Sequence, residues 1–260
     1  MPSLTARLLS HPQTPDAYKR ATQSPFLQLA GQGRLPPTTL SQWLAQDRLY
    51  AQAYARFIGG LLSRVRLPVR SDRPIRETLE WRVVQVLKSS LDGILVELAF
   101  FEDTAAKYGL DLAAVVPAEK VVGSSGGGGG SGKEFGPNPT TAAYVDLFDS
   151  FGAGGNANKS VFEGLVLLWA TEKVYHEAWT YARDQGQASQ TKAEDDLDGG
   201  ALRKEFIPNW TSAEFGAFVD EIEACLDQYA ETHSGADVDE TALRVWKEVL
   251  QLEQGFWPQV

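Results

Sequence analysis

Nearly every long segment of this chain repeats its apolar residues every three or four positions, and runs that alternate apolar with polar residues are scarce. A period of 3.6 buries one stripe of a helix, whereas a half-buried strand needs a period of two. The sequence therefore predicts an all-α protein. A first short helix is expected over about Thr14–Ala30. A second follows Pro36 and Pro37, capped by Thr38 or Thr39, with apolar residues at Leu40, Trp43, Leu44, Leu49, Tyr50, Tyr54, Phe57 and Leu61. The stretch from Arg76 to Leu110 reads as two helices meeting near Ser89–Ser90, with Gly109 as the C-terminal stop. Further helices are expected over Thr140–Phe151, Ser160–Gln185, Ser212–Glu231 and Asp237–Trp257. That makes seven or eight helices in one domain. A Gly/Ser-rich segment at about 121–139 reads as a flexible loop, natural or engineered, and a polar segment at about 186–200 as a second, exposed loop.

Composition narrows the partners. The 260 residues carry a net charge of −10, whereas nucleic acid and anionic membranes call for a basic surface. No apolar run approaches the roughly 18 residues of a membrane span. The single cysteine, Cys225, excludes an internal disulfide framework. A cytoplasmic protein acting on a small molecule is the expectation.

The stretch Leu168–Trp179, LWATEKVYHEAW, puts Glu172, Lys173, Tyr175, His176 and Glu177 inside a helix whose preceding turn is apolar all round, from Leu165 to Ala170. An all-apolar circumference marks a buried helix, so Thr171, Glu172 and Tyr175 could converge on one cavity. Charged side chains more often face solvent, and a solvated stripe remains the competing reading. A second cluster, QDRLYAQAY, places Asp47, Tyr50 and Tyr54 along one helix face, and a buried carboxylate there would need a hydrogen-bonding partner. A third, LEQGFW, sets Glu253 three residues before Phe256. Tyr144 and Trp210 stand near helix starts. Carboxylates beside aromatics on separate elements suit a flat nitrogen heterocycle: rings stack, and ring amines donate to carboxylates. The histidines, His11, His176 and His233, do not form the Glu-x-x-His pairs of a di-iron bundle, and His11 precedes a proline where a haem ligand would need a helix. No metal and no cofactor are expected.

Taken in order, WLAQDRLY, AFFEDTAAKYGL, TTAAYVDLF, LLWATEKVYHEAW, FIPNWTSAEF and LEQGFW resemble the TenA/Thi-4 family of thiamin salvage, over about Thr14–Trp257. The resemblance implies a haem-oxygenase-like helical bundle that forms a homodimer or homotetramer. It implies that Asp47 hydrogen-bonds an aminopyrimidine, with Tyr50 beside it, and that Tyr144 and Tyr175 help position the ring. It also implies that Glu253 transfers protons and that Phe256 stacks, with Trp210 as a further wall. The family's nucleophilic cysteine falls at Thr171, with Glu172 adjacent, so the chain is similar to the cysteine-lacking TenA-E branch. Asp47, Glu172 and Glu253 are then the expected catalytic residues. The implied reaction is hydrolysis of aminomethyl- or formylaminomethyl-pyrimidine toward hydroxymethylpyrimidine. The alternative is a hydroxymethylpyrimidine-binding protein without catalysis. Lys173 and Glu177 are expected on the outward face, with His176 open.

Overall fold

A computed structural model describes residues 2–115, 135–152, 159–188, 191–233 and 236–260. Most of the Gly/Ser-rich segment lies outside the described residues. The described residues are all-α, with no strand among them. Three short helices open the chain: α1 (Leu4–Leu9), α2 (Pro15–Thr22) and α3 (Pro25–Gly31). Two long ones follow, α4 (Pro37–Arg64) and α5 (Leu79–Tyr108). Then come α6 (Pro139–Asp149), α7 (Val161–Ala188), the single-turn α8 (Ile207–Trp210), α9 (Ala213–Thr232) and α10 (Ala236–Phe256). A π-helical turn, Leu202–Phe206, runs directly into α8.

Several boundaries differ from expectation for local reasons. The helix expected over Thr14–Ala30 is two helices, because Ser24 takes an extended conformation, accepts the Leu27 N–H and is followed by Pro25. The six residues of α1 escape periodicity analysis; Ser3 caps them and Asp227 accepts both the amide and the hydroxyl of Thr5. Neither Thr38 nor Thr39 caps α4, since Pro37 already occupies its first turn and Pro36 the cap. The expected break at Ser89–Ser90 is absent. Ser90 returns its hydroxyl to the Val86 carbonyl at 3.0 Å, which satisfies it without ending the helix. Gly109 stops α5 at φ +67, a conformation that favours glycine. Helix α7 runs to Ala188, beyond the expected Gln185. The polar segment after it is not simply exposed: Asp196 and Asp198 are 8% and 5% accessible. Asp196 pairs with Arg203, and Asp198 accepts the backbone N–H groups of Gly200 and Leu202.

Helix α7 is the hub. It packs against α2, α3, α9 and α10, while α4 packs against α5 and α6. Its upstream turn, Leu165–Ala170, is fully buried, as the all-apolar circumference requires. The approach of α3 to α7 is backbone to backbone: a Cβ on Gly31 would stand 1.8 Å from the Ala182 carbonyl oxygen. One continuous apolar cluster runs through these helices. Burying each Leu, Phe or Trp of that kind contributes roughly 1.5–3 kcal/mol, so α4 and α7 are held rigidly enough to fix the polar side chains between them. No helix of the described residues is long and apolar enough to cross a membrane.

Candidate active site

Where the polar side chains of α4 and α7 meet, the core gives way to a cavity of about 410 Å3. Helical spacing brings them there: Asp47, Tyr50 and Tyr54 descend one face of α4, and Thr171, Glu172 and Tyr175 one face of α7. The wall is completed by α5 from Ser89 to Glu97, by Trp210 of α8, and by Phe215 and Phe218 of α9.

The three inner carboxylates, Asp47, Glu172 and Glu97, each have a defined donor. The Tyr175 phenol donates to Asp47 at 3.1 Å, and the Tyr54 phenol to Glu172 at 2.5 Å. Glu97 accepts the indole N–H of Trp210 on one oxygen and the Asn209 side-chain amide on the other, at 3.0 Å. Thr171 donates its hydroxyl to the carbonyls of Leu167 and Leu168, both at 3.0 Å, and is within hydrogen-bonding reach of Tyr50. A hydroxyl tied back to its own helix is poorly set up as a nucleophile. Glu172 projects into the cavity as a titratable group; Thr171 serves as wall.

Burial sets the electrostatics. It lifts Glu172 to about 7, opposed by the Tyr54 hydrogen bond and helped by the charge of Glu97. Glu97 is also raised to about 7 by burial, against its bonds to Trp210 and Asn209. Asp47 is raised well above the usual carboxylate range by burial and then by Glu97, while Tyr175 pulls it back. Among the described residues, no lysine or arginine lines the cavity. Such a chamber favours groups that bring N–H donors or positive charge, and groups near neutral pKa can exchange protons at physiological pH.

Glu253, Tyr144 and Phe256 stand one aromatic layer behind the wall. The Tyr144 phenol donates to Glu253 at 2.5 Å, and the Tyr50 ring meets Tyr144 edge-on at 5.0 Å and Phe256 at 5.6 Å. Burial raises Glu253 to about 7, the Tyr144 bond lowers it, and Glu172 adds to the rise. Its Oε2 is buried without a hydrogen-bond partner among the described residues. Trp210 lies in the wall, stacked on Phe206 at 4.9 Å. Lys173 and Glu177 pair with each other at 2.9 Å, and His176 packs edge-on against Phe215 without lining the cavity. Burial lifts the Cys225 thiol to about 11, and it does not line the cavity. The carboxylates are not grouped as a metal centre: among the described residues no three His, Cys, Asp or Glu side chains are disposed to hold an ion.

Glu97 escaped the sequence reading. It sits in ILVELAFF, a charge inside an apolar run on a helix whose outer face is exposed, and the run itself was the available signal.

Comparison with known proteins gives the site its context. The profile of the TENA/THI-4/PQQC family matches residues 131–260. The chain is similar to a Fusarium pseudograminearum protein named "Probable transcription factor", 27% identical over 99% of this chain and 52% of the relative, so it spans about half that relative's length. It is 21% identical to a soybean "Probable bifunctional TENA-E protein", over 92% of this chain and 86% of that one. Among solved structures, a TenA homologue from Pyrococcus furiosus superposes with a TM-score of 0.71 and 24% identity, covering 98% of both chains. A Sulfolobus solfataricus protein, described provisionally as a TenA-like thiaminase, does so with a TM-score of 0.62 and 17% identity, covering 99% of this chain and 95% of that one. These likenesses establish the helical fold.

Proposed function

The chain belongs to the TENA/THI-4/PQQC family, and from that premise we propose that it hydrolyses the C–N bond of aminomethyl- or formylaminomethyl-pyrimidines, in thiamin salvage. The observation that carries the reading is the set of polar groups in the cavity's wall: carboxylates and phenols, with no cationic side chain among the described residues that line it. The naming of relatives as a TENA-E protein and a TenA-like thiaminase supports the thiamin connection.

In this reading Asp47 accepts a hydrogen bond from the ring amine, oriented by Tyr175. Tyr50 and Trp210 wall the ring. Glu172, protonated near neutral pH, gives its proton to the leaving nitrogen as the C–N bond breaks with its electron pair. The resulting carboxylate takes a proton from the water whose oxygen bonds to the carbon, so the carboxyl group ends as it began. Tyr54 holds Glu172 in place throughout. Glu253, with Tyr144 and Phe256 around it, supports Tyr50 from behind and acts as a second proton holder rather than as the group that touches substrate. The same reading takes the working form to be a cytoplasmic homodimer or homotetramer that needs neither metal nor cofactor.

The test is a turnover screen of one aminopyrimidine carrying hydroxymethyl, aminomethyl or formylaminomethyl at the same position. Release of ammonia or formate, with the hydroxymethyl compound acting as a product inhibitor, is expected. Saturable binding of all three without release would point to a binding protein instead.

A further inference from the structure

The cavity is larger than the ring proposed to enter it. A dry cavity of about 150 Å3 holds one benzene-sized ring, whereas this one measures about 410 Å3. Its buried end is polar, formed by Asp47, Tyr54, Thr171, Glu172 and Tyr175. Its other end opens between α5 and the start of α9, where Ile94 and Val96 contribute one wall and Phe215 and Phe218 another. Gly93 lies in this mouth, and a side chain built there would meet nothing within 4 Å. The space beyond the ring is thus an open mouth, continuous with the acidic chamber.

The mouth also has a chemical preference. Val96, 70% accessible, offers apolar surface to whatever fills the space. Asp92 at the rim is engaged by Lys88 at 2.5 Å, so that lysine is already occupied. Glu214 adds negative charge, and none of the described lining residues is basic. A phosphate or carboxylate substituent would find no counter-charge there. Ser212 accepts the Phe215 amide at 3.1 Å, which leaves its own O–H to donate to a carbonyl oxygen.

We infer that the mouth is a subsite for a neutral acyl group on the aminomethyl nitrogen, so that the substrate class includes N-acylaminomethyl pyrimidines with acyl groups larger than formyl. This rests on the pyrimidine reading of the inner chamber. The step is ordinary amide hydrolysis. Water oxygen bonds to the acyl carbon, the C–N bond breaks with its electron pair on nitrogen, and a proton relayed by Glu172 completes the amine. The products are the aminomethyl pyrimidine and a carboxylic acid, which ionises and is expelled from an acidic chamber.

The experiment measures kcat/KM for formyl, acetyl, butyryl and benzoyl derivatives with the wild-type protein and Gly93→Leu. Leucine fills the open space and is a better helix former than glycine, so the fold is expected to survive. The wild type should process the larger acyl groups at least as well as formyl, with KM falling about fourfold per added methylene until the mouth is full. Gly93→Leu should keep formyl turnover within threefold and lose tenfold or more on butyryl and benzoyl. Wild-type rejection of every acyl group beyond formyl, with formyl still cleaved, overturns the subsite and leaves the pyrimidine reading intact. Equal slowing of all derivatives by Gly93→Leu also overturns it, as does a change of oligomeric mass on light scattering with selectivity unaltered, which would make this mouth an interface between copies. If no derivative binds or turns over, the pyrimidine reading fails and the subsite with it.

Discussion

Replacing Glu172 with Gln should make the protein more stable at pH 8 while removing its activity. Burial raises this carboxyl from 4.5 to about 7 in the folded protein. Below pH 4.5 both folded and unfolded chains hold the proton, and the folded state's preference for it is fully expressed. Between 4.5 and 7 the unfolded chain ionises while the folded one does not, so stability falls as pH rises, by about 1.4 kcal/mol per pH unit. From pH 5 to pH 8 that amounts to roughly 2.5 kcal/mol. Gln has no proton to lose, and its Oε1 can still accept from Tyr54. Its presence also relieves Glu253, which the Glu172 charge pushes upward. Urea denaturation of both proteins at the two pH values reads the difference directly: the gap between variant and wild type should move by roughly 2.5 kcal/mol in the variant's favour at pH 8. Turnover of the aminomethyl pyrimidine should drop at least about a hundredfold, the lower end of what a general acid–base group contributes. Identical pH dependence of stability in both proteins would refute the claim that Glu172 sits in the core as a neutral acid.

Thr171→Ala should keep turnover within about tenfold, because its hydroxyl is spent on the Leu167 and Leu168 carbonyls and performs no bond-making step; a hundredfold loss in a steady-state assay would restore it as a nucleophile. Glu97→Gln removes a charge that raises both Asp47 and Glu172, so the limb of the pH–rate profile governed by Glu172 should move below about 7. An unmoved limb would show that Glu97 acts only through its hold on Trp210.

The helices were legible because each buries a stripe of apolar residues, and the ends were legible where a cap has one solution, as at the Gly109 stop and the Ser212 start. Legibility failed where a local bond decides the outcome. Ser90 bonds back to Val86 and lets α5 continue, whereas Ser24 and Pro25 divide what periodicity alone joins. In the site, spacing put Asp47 and Tyr50 on one face and Thr171, Glu172 and Tyr175 on another, and the cavity gathers all five. What spacing leaves open is depth along the cavity. Glu253 ended behind Tyr50, and Glu97 came in from a helix whose opposite side is exposed, because the first position follows from how α10 packs on α6, which carries Tyr144, and the second from how α5 packs on α4.

The central claim is that the acidic chamber grips an aminopyrimidine through Asp47, and calorimetric titration tests it most directly. Hydroxymethyl aminopyrimidine should bind the wild-type protein saturably, one per chain, and Asp47→Asn should weaken that binding a hundredfold or more, since an amide whose oxygen keeps the Tyr175 bond presents a donor to the ring amine. Equal affinity for the two proteins, or no binding to either, would contradict the account.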